Sequence, residues 1–248
     1  MTNANPLKIS AEPSVPLSKG NILNYNTYLP YREAIGSLIF LATTSRPDIT
    51  FAVNQVSRLF NDWSDEHWKT VKRIFSYLKY TAHYKIVYRK TTQIKVIGYT
   101  DADYAGCLDT IKSTSGYVFI LGNGPITWKS QKQNIVAQST TEAEYVSLAF
   151  SVREALWLRN FLKEIGIDVS PVNIFVDNQS AIKLTQPQQF HSRTKHIDIK
   201  VHFVRDECKN KNICVSYVNT SNQLADLFTK ALSKTVFNNL NYVFVNLD

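Results

Sequence analysis

The 248-residue chain contains no run of about eighteen apolar residues, the length a membrane-crossing helix needs, so no transmembrane segment is indicated. Its first twenty residues lack the apolar stretch that a secretory leader carries. Only three cysteines occur, Cys107, Cys208 and Cys214, an odd number without metal-ligand spacing. Neither a disulfide framework nor a zinc site follows, and a reducing, intracellular compartment is the simpler expectation. No internal repeat is visible. What is present is apolar material: 44% hydrophobic and 12% aromatic residues, enough to bury at least one substantial core.

Charge is unevenly spread. The net charge is +8, yet residues 1–95 hold 13 Lys and Arg against 6 Asp and Glu, while residues 96–248 hold 15 against 14. The basic excess therefore lies upstream and the carboxylates gather downstream. A basic arm beside an acidic, metal-binding surface suits an enzyme that works on nucleic acid. The plain alternative is a solvated face that keeps the chain soluble.

The pattern divides the chain into four stretches. Residues 1–27, with Pro6, Pro13, Pro16 and Gly20, read as a linker or disordered lead. Residues 28–93 turn helical. Ile35, Leu38, Ile39 and Leu41 share one face before Pro47, Phe51, Val53, Val56 and Leu59 make a second, and His67, Val71, Ile74 and Leu78 a third. The third face is backed by Lys69, Lys72, Arg73 and Lys79. Residues 94–234 switch period. Strands are expected at 94–103, 115–122 and 125–130, then a long helix over 141–165 stopped by Gly166. A strand at 172–177, a short helix from Ser180, a helix over 197–207, a strand at 213–218 and a last helix over 223–232 complete that unit. Residues 235–248 read as a tail.

The first three strands follow one another closely and suit an antiparallel meander; the later two arrive after helices and suit parallel addition to the first. In such mixed α/β sheets, ligand chemistry collects at the carboxyl ends of the strands. Two strands end in acid there. Ile94, Val96 and Ile97 lead into Asp101 and Asp103, and Val172 to Val176 leads into Asp177. Either could be a solvated turn acid. The long helix opens on Ser139, Thr140, Thr141, Glu142, Ala143, Glu144, where both glutamates fit a capping box. They lie about 200° apart around a helix and cannot both face one site, and periodicity does not choose between them. Asp226 stands in the first turn of the last helix, where the dipole alone would favour an acid. Four carboxylates delivered by two strand ends and two helix starts are nevertheless the set that two hard divalent cations would need, about 4 Å apart, for phosphodiester hydrolysis.

Five motifs make the pattern specific: KSTSGYVFILG, PITWKSQKQNIVAQSTTEAEY, VDNQSAI, FHSRTKHIDIKVHFVRDE and NQLADLFTKAL. They resemble the ribonuclease H domain of copia-type long-terminal-repeat retrotransposon Pol polyproteins. Upstream, YREAIGSLIFLATTSRPDITFAV and HWKTVKRIFSYLKYT resemble the segment that closes the reverse transcriptase of the same polyproteins. The resemblance runs from about Leu29 to Leu232. It implies a ribonuclease H-like α/β fold, a mixed five-stranded sheet flanked by helices and preceded by a small helical unit. It implies hydrolysis of the RNA strand of RNA–DNA hybrids with two magnesium ions, manganese being the alternative.

Carried over residue by residue, the resemblance assigns metal binding and catalysis to Asp101, Glu144 (rather than Glu142), Asp177 and Asp226. Asp103 becomes a supporting acid. Asn178 and Gln179 become contacts to the sugar edge of the hybrid, where a 2′-hydroxyl marks RNA. Lys72 and Arg73 are expected to grip its phosphates. The implied partners are the hybrid and the rest of a reverse transcriptase, with no membrane; the implied place is a cytoplasmic virus-like particle or the nucleus. The chain departs from the family's pattern in three places. No histidine precedes the last acid, Val218 to Asn222 standing there instead; Cys107 replaces a usual acid; Ile111 replaces a usual basic residue. His191, His196 and His202 lie earlier and read as surface or packing residues. No Tyr-x-Asp-Asp polymerase motif occurs, so DNA synthesis is not expected of this chain. A second reading is a decayed or co-opted fragment that binds nucleic acid without cutting it. A related integrase or transposase nuclease is disfavoured, because there the glutamate comes last and here it comes second.

Overall fold

The computed structural model describes residues 5–13, 17–19, 28–91, 94–186 and 197–245. Three helices come first: α1 (Tyr31–Thr44), α2 (Thr50–Ser57) and α3 (Asp65–Tyr80). The strands β1 (Val96–Asp103), β2 (Thr114–Leu121) and β3 (Gly124–Lys132) follow, then α4 (Thr140–Glu164), β4 (Val172–Val176), α5 (Gln179–Thr185) and α6 (Asp198–Lys209). The chain ends with β5 (Ile213–Tyr217), α7 (Asp226–Thr229) and α8 (Lys234–Asn241). Among the described residues, no helix is long and apolar enough to cross a membrane.

The five strands form one sheet in the order β3-β2-β1-β4-β5. The meander β1-β2-β3 is antiparallel, and β4 and β5 add in parallel, β4 directly beside β1. This is the expected mixed sheet, with the acid-bearing strand β1 at its centre. Because β1 and β4 run side by side in the same direction, their carboxyl ends, and so Asp101 and Asp177, open on the same edge of the sheet.

Both faces of the sheet are covered, as the near-continuous burial of β2 shows. On one face α4 lays down Tyr145, Leu148, Val152, Ala155, Leu158 and Leu162 against Phe119, Val172, Ile174 and Val176. That stripe recurs every three to four residues, the period of a helix with one buried face. Ser139 caps its start by accepting the Glu142 N–H at 3.2 Å. Gly166, at φ 86°, turns the chain out of its end through the left-handed region.

The other face is covered by the upstream helices. Ile35 and Leu38 of α1, Val53 and Val56 of α2 and Val71 and Ile74 of α3 share a single core with Val118 of β2, Leu224, Leu227 and Phe228. Polar contacts sew the same junction: Trp128 Nε1 donates to the Ala42 carbonyl at 2.7 Å, and Asn54 Nδ2 to Ser130 Oγ at 2.7 Å. Within the helical unit, Arg46 is locked by both oxygens of Asp48 at 2.9 and 2.7 Å.

The structure changes three expectations. The lead, read as a linker, packs where it is described: Ile9, Ala11 and Leu17 lie against the helical core, and Ser10 Oγ donates to the Asp48 carbonyl at 3.0 Å. The tail carries α8, whose Phe237 and Leu240 are buried with Phe244 and Val245 in that core. The last helix of the ribonuclease-like unit does not run over 223–232. It is the single turn α7, preceded by a 3-10 turn at Thr220–Asn222. The reason is a side chain: Gln223 turns its amide inward to donate to the distant Thr100 carbonyl at 3.0 Å and to accept the Ala225 N–H at 3.2 Å. The chain is therefore non-helical at 223.

Candidate metal centre

Asp101 sits one pleat from the end of β1, with 2% of its surface exposed. Its own carbonyl accepts the Ser147 hydroxyl at 2.7 Å, which ties β1 to α4. One turn earlier on α4, Glu144 faces the same spot, while Asp177 follows β4 at the neighbouring strand end. One carboxylate oxygen from each of Asp101, Glu144 and Asp177 lies within 4.8 Å of the others.

The two glutamates of the helix start part ways here. Glu142 turns back to the cap, its Oε2 accepting the Gln138 N–H at 2.7 Å. Glu144 turns to the acids, and its buried Oε2 has no hydrogen-bond partner among the described residues. The choice that periodicity left open is thus made by the angle between them.

Asp226, the fourth acid, is joined through a cation. Lys230, one helical turn later, puts Nζ 2.8 Å from Asp226 Oδ1 and 3.6 Å from Asp101 Oδ2. Thr229 completes the link by donating its hydroxyl to Asp101 Oδ2. Thr220 donates to Asp177 Oδ2 at 2.9 Å, from the 3-10 turn at Thr220–Asn222. Asp103 shares the face of β1 with Asp101 and folds over Gly106.

Crowding of like charge in a desolvated place sets the protonation of these groups. Burial, then Asp101 and Asp177, pushes Glu144 well above the usual carboxylate range. Burial, then Asp101, pushes Asp226 up to about 7, with Lys230 pulling the other way. Asp177 and Asp103 rise for the same two reasons. Lys230 is itself pushed up, because Asp101 and Asp226 outweigh its burial. The cluster holds more negative charge than its one lysine can balance. Hard oxygen donors, clustered and partly desolvated, with one buried oxygen lacking a partner, fit a hard divalent cation.

The remaining expected site residues are dispersed. Asn178 spends its side-chain oxygen on the N-cap of α5, accepting the Ala181 N–H at 3.0 Å, and Gln179 is exposed beside it. Lys72 is exposed on α3, whereas Arg73 is paired with Glu12 of the lead at 2.7 Å. His191 and His196 lie outside the described residues, and His202 is exposed on α6. Sequence reasoning missed Lys230, Thr229, Thr220 and Gln223. Only Lys230 had a signal, its spacing of four from Asp226 on a helix.

Gly116 makes the cluster possible. It pairs with Asp101 across β1 and β2, and a Cβ there would come within 2.7 Å of Phe228 Cβ and Thr229 Cγ2. Gly116→Ala is expected to push α7 off the sheet and lower the melting temperature by about 4–8 °C, an overpacking cost of about 2 kcal/mol. Unchanged melting would show that α7 has room to give.

The fold and the acid cluster define the class: a ribonuclease H-like fold with an acidic cluster at the carboxyl ends of its central strands. No family model matches the chain. Among solved structures, it is similar to a foamy viral protease-reverse transcriptase in complex with RNA/DNA hybrid, with TM-score 0.50 and 14% identity over 86% of this chain and 27% of that one. It is also similar to LC11-RNase H1 in complex with RNA/DNA hybrid, with TM-score 0.41 and 18% identity over 54% of this chain and 94% of that one. Among curated proteins, it is 38% identical over 247 residues to the Retrovirus-related Pol polyprotein from transposon TNT 1-94 of Nicotiana tabacum, covering 96% of this chain and 18% of that protein. Over 96% of its length the chain is similar to copia-type retrotransposon Pol polyproteins. It spans less than a fifth of the length of the curated Pol polyproteins it matches first.

Proposed function

We propose that the chain is a ribonuclease H that hydrolyses the RNA strand of RNA–DNA hybrids. The observation that carries this reading is the triad of Asp101, Glu144 and Asp177, whose oxygens converge within 4.8 Å at the carboxyl ends of β1 and β4. Asp101, Glu144, Asp177 and Asp226 would hold two magnesium ions, or manganese in their place. When bound, such ions supply a water activated at neutral pH and charge neutralisation at the leaving oxygen.

The chain's own residues hold that arrangement. Ser147 and Thr229 fix Asp101 from opposite ends of its residue, one at the carbonyl and one at the carboxylate. Thr220 orients Asp177, and Gln223 anchors the turn that presents Asp226 to the Thr100 carbonyl. Lys230 holds Asp101 and Asp226 together as a fixed counter-charge. With no polymerase motif in the chain, DNA synthesis is left to other parts of a longer polyprotein, and the expected partners are the hybrid and that polymerase.

The test is cleavage of a labelled RNA–DNA hybrid with magnesium, beside an RNA duplex, with Asp177→Asn as control. Expected is cutting of the hybrid alone, dependent on the metal and lost in the variant by at least about 10³-fold, or about 4 kcal/mol of barrier. Equal activity in Asp177→Asn would discard the site. Hybrid binding without cleavage would move the function to the co-opted, binding-only reading.

A further inference from the structure

A second arginine, outside the expected phosphate grip of Lys72 and Arg73, is bonded to the strand that neighbours the acid cluster. Arg58, at the C-cap of α2, crosses from the helical unit into the ribonuclease-like unit and donates from Nη2 to Thr114 Oγ1 at 3.0 Å. Thr114 is the strand partner of Asp103, two residues from Asp101. The guanidinium is half-buried, and its other bonds go to Asn54 Oδ1 at 3.4 Å and Gln55 Oε1 at 3.3 Å. All three acceptors are neutral. A guanidinium carries five N–H donors, and no carboxylate stands within ion-pair distance of this one among the described residues.

That is unlike its neighbours. Arg46, deeper in the same unit, is clamped by Asp48, and Arg73 is held by Glu12. A half-desolvated cation without a counter-ion is costly unless an anion arrives. Burial lowers the pKa of Arg58, and Cys107 and Asp103 only partly offset it. Its partner Gln55 lines a cleft of about 930 Å³ whose wall also includes Asp103, Gly106, Lys230, Lys69 and Arg73. The cleft thus leads from the basic side of α3 to the rim of the acid cluster, and Arg58 joins it through its bond to Gln55 and the acids through its bond to Thr114.

We propose that Arg58 is a phosphate-binding residue, and that its guanidinium takes a phosphodiester of the nucleic-acid strand at the edge of this cleft, beside the cleavage site. The fork geometry of arginine suits two oxygens of one phosphate, and the neutral bonds to Thr114 and Gln55 hold the fork in place before the strand arrives. Two units meet at this residue, so the helical unit contributes directly to substrate binding by the nuclease. The inference rests on the nuclease reading above.

The experiment measures hybrid binding against salt in the Glu144→Gln background, which removes cutting, with Arg58→Met and Arg58→Lys added. Melting is followed for each variant. Loss of one phosphate contact in Arg58→Met is expected to weaken binding about tenfold and to reduce the slope of log affinity on log salt by about 0.7–0.9, whereas Arg58→Lys keeps the slope. Hybrids with a single neutral methylphosphonate near the cut site give the second readout. One position should weaken the parent about tenfold and have a smaller effect in Arg58→Lys, whose ammonium lacks the fork. An unchanged slope in a folded Arg58→Met overturns the proposal. Should Arg58→Met not fold, an unchanged methylphosphonate profile in Arg58→Lys overturns it instead. Wild-type protein that fails to cut the hybrid counts against the nuclease reading, and the binding slopes still decide Arg58.

Discussion

Glu144→Gln is expected to abolish hybrid cleavage, by at least about 10³-fold, while making the metal-free protein more stable. Both effects come from one cause. Glu144 is 7% exposed, close to Asp101 and Asp177, and its carboxyl is pushed well above the usual range by burial and by those two charges. An amide keeps the shape and removes the repulsion, so the fold gains where the cation site loses a ligand. A folded-state pKa raised above the unfolded value favours the native state fully below the unfolded pKa, and that contribution is lost as pH rises through the folded pKa.

Wild-type stability without metal should therefore fall as pH rises through neutrality, since Asp226, pushed up to about 7, obeys the same sign. Glu144→Gln should melt about 2–4 °C above wild type at pH 8 in chelator, which corresponds to roughly 1 kcal/mol, and converge on it near pH 5. Magnesium should raise the melting temperature of wild type and not of the variant. Glu142→Gln should do none of this, because Glu142 serves the helix cap at Gln138. Melting scans with and without metal decide it; a variant no more stable than wild type at pH 8 would mean that Glu144 is not under the strain the cluster implies.

Removing residues 1–93 is expected to cost the remaining chain its cooperative fold, rather than simply weaken its grip on nucleic acid. The upstream helices bury Val118, Leu224, Leu227 and Phe228, and Trp128 reaches them through the Ala42 carbonyl. Re-exposing five side chains of this size, at about 1.5–3 kcal/mol each, would forfeit on the order of 10 kcal/mol. That equals the whole stability of a typical domain, about 5–15 kcal/mol. The truncated chain should show no cooperative melting transition and should expose apolar surface to a reporter dye. A sharp transition near that of the full chain would show that the sheet face is stable uncovered. A basic arm that could be cut away would have been a cleaner subject for a salt-dependence experiment; a shared core makes point substitutions the better tool.

Much of this protein was legible in its sequence, for reasons that are local. Alternation in VIGYTDAD and VNIFVDN marks strands, and both end in acid whatever surrounds them. The meander and the later parallel strands follow from connection length, since a short turn reverses a strand and only a helix-bearing crossover brings it back parallel. The stripe of α4 and its stop at Gly166 follow from helical period and from the freedom of glycine at positive φ.

What depended on distance along the chain was not legible. Two glutamates in one helix start have the same local chemistry, and only the position of Asp101 on a neighbouring strand separates them. Thr229 looks like one more polar residue until Gly116, more than a hundred positions earlier, lets it close on Asp101. The helical residues at 223–225 were lost to a side chain that prefers the Thr100 carbonyl, a bond that sequence periodicity does not contain. Charge count placed the phosphate grip on the lysines and arginine of α3, but a count does not see that Glu12 already holds Arg73 while Arg58 has no carboxylate within ion-pair distance among the described residues. The sequence by itself determined which elements form and which acids they carry. The tertiary structure decided which of those acids meet and which cations pair with them, because contact and desolvation are properties of space and not of order along the chain.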